Sequence, residues 1–191
     1  MNFTQDWFSY NIPHIERLMG LLPERKRFLE IGCFEGRATC WFLEHALDDD
    51  GIIFCVDPFE GSMEHADLDL SELYNRFKEN VTYAQGDNQR VVTKRNTSYN
   101  ALAVMTQQGE RPFDFIYIDG DHTAGAVLTD ACMAWPLLKK GGIMVFDDYH
   151  WNPGNYNEYQ TPKRGVDAFS HAFGDQFKVV HDGYQIAVQK L

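Results

Sequence analysis

Five apolar runs of strand length, separated by helix-length amphipathic segments, occupy residues 28–147 of the chain. This alternation admits few folds, because parallel strands need long crossovers and bury both faces under helices. The runs are Phe28 to Cys33, Ile52 to Asp57, Arg90 to Lys94, Phe113 to Asp119 and Ile143 to Asp147. Between them, helices are expected over Arg37 to Leu47, Glu72 to Ala84, Tyr99 to Gln108 and Ala124 to Leu138. The second of these would show Leu73, Phe77 and Val81 on one face. The third strand is the ambiguous one, since VTYAQ (81–85) is also β-rich. RVVTK (90–94) is preferred because it leaves a helix-sized connector on each side. KKGG (139–142) reads as a turn, and residues 151–165 read as loop by their Pro, Gly and Asn content. A last helix over Val166 to Phe173 leads to FKVV, a two-residue Asp182-Gly183 turn and QIAV, which is a hairpin signal. The expectation is a doubly wound, mostly parallel α/β sheet of seven strands, ending in an antiparallel hairpin, with helices on both faces.

A chain of 191 residues suits one domain and can bury ~70% of its unfolded surface. The formal net charge of −11 repels nucleic acid, and the one basic cluster, Lys94 and Arg95, is too small to reverse that. The acidic balance fits a cationic ligand or a metal, or plain solubility. The start of the chain has no basic and apolar leader pattern, and no run approaches the ~18 apolar residues of a membrane span. The four cysteines, Cys33, Cys40, Cys55 and Cys132, form no CxxC, and three lie in apolar runs. A cytoplasmic protein with neither a membrane nor a nucleic-acid partner is expected.

The apolar runs end in acidic residues. Asp119 closes the fourth and Asp147-Asp148 close the fifth, so sheet neighbours would bring three carboxylates within ~5 Å of one another. At an effective dielectric of ~20 each pair costs ~3 kcal/mol, and a hard divalent cation such as Mg²⁺ relieves that conflict. Alternatively, Asp119 begins a turn, Asp147 ends a strand and Asp148 is solvated. His122, three residues beyond Asp119, has an imidazole suited to taking a hydroxyl proton near neutral pH, with His150 as its competitor.

The first strand runs into FLEIGCFEGRAT, which sets Gly32 and Gly36 between a strand and a helix. The spacing departs from G-x-G-x-x-G and there is no Walker lysine, which disfavours a pyrophosphate cradle. Glu30 would repel a phosphate but accept a hydrogen bond from an ammonium group. Asp57, 25 residues after Gly32, stands where an acidic side chain accepts from ribose hydroxyls. An adenosine carrying an amino-acid tail, such as S-adenosylmethionine, fits these residues. So does a tight turn in which Asp57 merely caps the next element.

EIGCFEGRAT, VDPFEG, DFIYIDGDH, LLKKGG and FDDY, all within residues 28–151, resemble a small family of class I S-adenosylmethionine-dependent methyltransferases. The resemblance implies a Rossmann-like fold over residues 1–191, with 1–26 as an N-terminal helical cover and 151–165 as a substrate-side loop. It implies that Glu30, Gly32 and Gly36 line the methionine part, that Asp57 holds the ribose and that Asn96 to Ser98 lie along the adenine. Many relatives carry an acidic residue where this chain has Asn96. In the catechol, caffeoyl-CoA and certain sugar O-methyltransferases, a similar Asp…Asp-Asp/Asn set holds Mg²⁺. By that likeness Asp119, Asp147 and Asp148 are metal ligands, Asp119 also borders the cofactor, and His122 stands where the catechol-type enzymes carry a lysine base. The implied reaction is O-methylation of a small diol, catechol-like or sugar acceptor. A metal-independent methyltransferase, a metal-carboxylate hydrolase and a catalytically silent cofactor-binding module remain open. Trp7, Phe8, Tyr10, Trp151, Tyr156 and Tyr159 either cover the acceptor or anchor loops and a homodimer interface. The connector 60–73 reads as a flap or a plain link.

Overall fold

A computed structural model describes residues 1–62, 65–154 and 156–191, so Met63 and Glu64 of the connector and Asn155 of the late loop lie outside the described residues. Among the described residues seven strands form one sheet: β1 (Arg27–Ile31), β2 (Ile52–Val56), β3 (Arg90–Lys94), β4 (Phe113–Ile118), β5 (Leu138–Phe146), β6 (Phe177–Asp182) and β7 (Ile186–Lys190). Their order is β3-β2-β1-β4-β5-β7-β6. The first five are parallel, and β7 runs antiparallel between β5 and β6. The strand order reverses between β1 and β4, and the space above the carboxyl ends there is where open α/β sheets take ligands. Residues 81–85 belong to a helix or its end, so 90–94 is the third strand as preferred.

The helices are α1 (Ile12–Met19), α2 (Arg37–Trp41), α3 (Leu73–Ala84), α4 (Ser98–Gln107), α5 (Ala124–Ala134) and α6 (Pro162–Phe173). α1, α2 and α3 cover one face of the sheet, burying Ile15, Trp41 and Phe77 against Phe28, Phe115 and Tyr117. α4, α5 and α6 cover the other, with Leu102, Ala131 and Phe169 against Ile116, Met144 and Phe146. Period-2 alternation within each central strand feeds both cores at once, which is why these runs are apolar throughout.

Four local expectations change. The helix after β1 is α-helical only to Trp41 and then widens into a π turn over Phe42–Ala46, closed by Leu47 N–H donating to the Phe42 carbonyl at 2.7 Å. KKGG is a bulge inside β5, not a turn before it. Phe113 pairs with Leu138 but Phe115 with Ile143, and Gly141 supplies the left-handed φ of 77° that the extra residues need. α6 starts four residues early, with Pro162 in its first turn, and a 3₁₀ turn covers Glu158–Gln160, so residues 151–165 are not all loop. The hairpin joins β6 to β7 through Gly183, Tyr184 and Gln185, one residue longer than a tight Asp-Gly turn.

Within the N-terminal segment 1–26, α1 lies on the sheet and the residues before it, 1–8, run as a strap. Thr4 donates from both N–H and hydroxyl to the buried Glu35 carboxylate at 2.6 Å each, and Arg76 of α3 pairs with it at 2.5 Å. Asn80 donates to the carbonyls of Asn2 and Glu35 at 2.9 Å. Phe8 then enters the core against Trp41, Phe42 and Tyr117, so it is not a lid residue.

Candidate functional site

Backbone bonds continue past the strand ends and hold the loops in register. Gly32 N–H donates to Val56, Asp119 N–H to Ile31 and Asp147 N–H to Ile118, at 2.8 to 2.9 Å. These bonds set the glycine loop beside Asp119. A side chain on Gly32 would place its Cβ 1.8 Å from the Asp119 carbonyl oxygen, and Gly32 also has φ of 82°. The first loop and the fourth strand end are therefore in contact only because position 32 is glycine. Gly36, with φ of 81°, faces instead the Phe77 ring at 3.0 Å, so its missing side chain serves the packing of α3.

Asp57 accepts from the N–H groups of Cys33 (2.7 Å) and Phe34 (2.9 Å) on one oxygen and of Phe59 (2.5 Å) on the other. A carboxylate offers about four acceptor positions, so Asp57 braces the glycine loop and keeps room for one more donor. Glu30 lies deeper. It is 1% exposed, accepts from the Thr39 hydroxyl at 2.5 Å, and burial holds its carboxyl well above the usual range against the lowering effect of that bond. Asn96 is exposed and accepts from Thr97 N–H and the Asn100 amide. Ser98 opens α4, and burial lifts the carboxyl of Asp130 in α5 to about 6.

The acidic groups separate into two sets. Asp119, His122 and Asp148 bring ligand atoms within 4.8 Å of one another. His122 Nε2 is 3.2 Å from Asp148 and 3.6 Å from Asp119. Asp147 is not in this group. Its carboxylate turns inward to the Tyr117 hydroxyl, to the Asn11 amide at 3.2 and 3.4 Å and to Asp148 N–H at 2.7 Å. The backbone leaves the extended conformation at Asp148, whose φ is 55°, and this turn divides the pair expected to act together. Burial, followed by the charge of Asp148, lifts the Asp147 carboxyl to about 6. Burial and the charge of Asp147 push Asp119 well above the carboxylate range, a push that solvent moderates because 33% of that side chain is exposed.

Aromatic groups border this centre. The Trp151 ring lies 4.7 Å from His122 and 5.1 Å from Tyr156. Tyr10 and Tyr184 meet edge to face at 6.0 Å, and burial and the nearby aspartates raise both hydroxyls. Trp7 packs at a tilt against Phe34 of the glycine loop and stacks on His65 of the connector. Tyr159 is 61% exposed and pairs with Arg164 on the surface. His150 packs against Tyr149, and its N–H donates to the Tyr184 carbonyl at 3.4 Å. Glu35, Asn11, Tyr117, Tyr184, Gln185 and Asp130 escaped the sequence reading, since each acquires its role from a partner distant in the chain.

The strand order, the glycine loop and the acidic strand ends together define a Rossmann-like domain of the class I S-adenosylmethionine-dependent methyltransferases. The chain belongs to the methyltransferase-domain family, whose family model matches residues 29–149. It is 30% identical over 128 residues to the O-methyltransferase hkm8 of Aspergillus hancockii, covering 67% of this chain and 44% of hkm8. It is 27% identical over 129 residues to the uncharacterized protein R132 of Acanthamoeba polyphaga mimivirus, covering 66% of this chain and 54% of R132. The chain thus spans about half the length of the curated relatives it matches. In fold it is similar to an O-methyltransferase from Bacillus cereus in complex with SAH, with a TM-score of 0.65, 21% identity, and 98% of this chain and 84% of that one covered. It is also similar to MycE of the mycinamycin biosynthetic pathway, in complex with Mg and SAH, with a TM-score of 0.62, 16% identity, and coverage of 97% and 51%. Among the described residues no helix is long and apolar enough to cross a membrane.

Proposed function

We propose that the chain is an S-adenosylmethionine-dependent O-methyltransferase that acts on a small hydroxylated acceptor with the help of a divalent cation. The observation that carries this reading is the contact between Gly32 and Asp119, which sets the cofactor loop against the acidic group. The methyl donor lies along Gly32 to Gly36, with Asp57 offering its free acceptor position to a ribose hydroxyl and Asn96 to Ser98 flanking the base. Glu30 supports the loop from beneath, through Thr39. Asp119 and Asp148 are the carboxylates that would hold Mg²⁺ or another hard cation, an ion that commonly keeps several waters and takes only one or two carboxylates. Such a cation favours the ionised form of an acceptor hydroxyl. MycE, similar in fold, was crystallised with Mg and SAH, which supports the assignment.

His122 accepts the acceptor's proton at its imidazole, and Asp148 and Asp119 then serve as ion-pair partners for the imidazolium. Most of the acceleration comes from holding the two reactants in line, with Trp151 and Tyr184 limiting water and orienting the acceptor. The four cysteines are all free, in keeping with a cytoplasmic setting. The test is methyl transfer to a panel of catechols and sugar diols, with Mg²⁺ and with a chelator. Product that vanishes on chelation is expected. Turnover indifferent to the chelator would remove the cation from the account, and no turnover with any acceptor would favour a silent cofactor-binding module.

A further inference from the structure

Behind the acidic centre lies a buried polar cluster for which the proposed reaction has no use. Asn11 is 1% exposed, Tyr117 and Gln185 are fully buried and Asp147 is 6% exposed. They come from the end of the strap, from β4, from the hairpin connection and from the end of β5. Gln185 Nε2 donates to the Tyr117 hydroxyl at 3.1 Å, Tyr117 donates to Asp147 Oδ2, and Asn11 Nδ2 donates to both Asp147 oxygens. One further bond leaves the cluster toward the reaction centre. Asp148 N–H donates to Asp147 Oδ1 at 2.7 Å.

Asp148 has φ of 55°, in the left-handed region, which aspartate and asparagine enter more readily than most side chains but still uncommonly. Such a conformation persists only where the surroundings over-determine it. From it, the Asp148 carboxylate reaches His122 Nε2 at 3.2 Å. We infer that Asn11, Tyr117 and Gln185 are positioning residues that act through Asp147 to hold Asp148 in the left-handed conformation that aims its carboxylate at His122. The role of that carboxylate rests on the function proposed above; the mechanical coupling does not. Buried hydrogen-bonded networks of this kind rigidify what they hold. Asn11 adds a consequence. It follows the strap that Glu35 clamps, so the reaction centre is complete only when the N-terminus is docked.

The test is a set of ligand-free crystal structures of Tyr117→Phe and Asn11→Ala, together with Mn²⁺ titrations read by electron paramagnetic resonance. Tyr117→Phe keeps the ring in the core, so the fold should survive. In it Asp148 should leave the left-handed region or move beyond hydrogen-bonding reach of His122. Loss of a group that orients a metal ligand typically weakens metal binding by about 10- to 100-fold, the range expected for Tyr117→Phe. Affinity for S-adenosylhomocysteine should stay close to that of the wild type. Asp147→Asn retains a carbonyl oxygen for Asp148 N–H but gives up the acceptor that Tyr117 uses, so it should weaken Mn²⁺ binding as much as Tyr117→Phe, by about 10- to 100-fold, whereas Asp148→Asn should lose it. Unchanged Asp148 geometry in both Tyr117→Phe and Asn11→Ala would overturn the inference. So would Asp147→Asn losing Mn²⁺ as fully as Asp148→Asn, which would make Asp147 a ligand. A wild type that binds no Mn²⁺ would remove the cation from the proposed function, and the crystal structures alone would then decide the positioning claim.

Discussion

Replacing Gly32 with alanine perturbs the one contact on which the site's architecture turns. Two costs add. A left-handed backbone at a residue with a Cβ costs ~1–2 kcal/mol. The new Cβ would stand 1.8 Å from the Asp119 carbonyl oxygen and 2.8 Å from Gly120 Cα, so β1 and β4 must separate at their tips, an overpacking cost of ~1–3 kcal/mol. Gly32→Ala should thus lose about 2–5 kcal/mol, and with a urea m-value of ~2 kcal/mol/M the unfolding midpoint should fall by roughly 1–2.5 M. Affinity for S-adenosylhomocysteine, measured by calorimetry on the folded fraction, should fall at least about tenfold as the loop shifts. Gly36→Ala is the control. It shares the backbone cost but meets side chains that can shift, the Phe77 ring edge at 3.0 Å and Val81 at 3.3 Å, so it should lose about 1–2 kcal/mol and retain most of the affinity. Gly32→Ala unfolding at the wild-type midpoint with unchanged affinity would refute the reasoning.

Asp130 should make stability depend on pH. Burial lifts its carboxyl from 3.8 to about 6, so the folded state holds a proton that the unfolded state has released. The stabilisation is complete below pH 3.8 and is lost as pH rises through about 6, by roughly 3 kcal/mol in total. Asp130→Asn should flatten this part of the profile in thermal melts between pH 4 and 7, and an unaltered slope would contradict it. Glu35→Gln removes the charge that Thr4 and Arg76 share, which should cost about 1.5–3 kcal/mol and speed proteolysis within residues 1–11. Cleavage at the wild-type rate would show that the strap is held by other contacts.

The sheet was legible because central parallel strands bury both faces and so read as short apolar runs, too short for helices and bounded by turn residues. Connector length alone decided between residues 81–85 and 90–94. Local chemistry misled where tertiary contacts overrode it. KKGG has the composition of a turn but serves as a bulge, and Asp182-Gly183 has that of a tight hairpin yet yields to a longer connection that buries Gln185 beside Tyr117. The acidic strand ends were visible, but their division was not. Two adjacent aspartates look equivalent in a sequence, and only Asn11, 136 residues away, and Tyr117 reveal that Asp147 turns inward while Asp148 faces His122. Asp57 was found by its place after β2. Its bonds to the glycine loop were not, because they depend on backbone N–H groups that every residue carries.

Calorimetric titration of the wild-type chain with S-adenosylhomocysteine, with Mg²⁺ present and again after chelation, tests most directly whether a methyl-donor site lies beside a cation site. One site per chain with and without the ion is expected, and a separate Mg²⁺ titration should give heat that Asp148→Asn abolishes. Absence of heat with the nucleoside would contradict the account at its base, and Mg²⁺ heat unchanged in Asp148→Asn would contradict the assignment of the acidic centre.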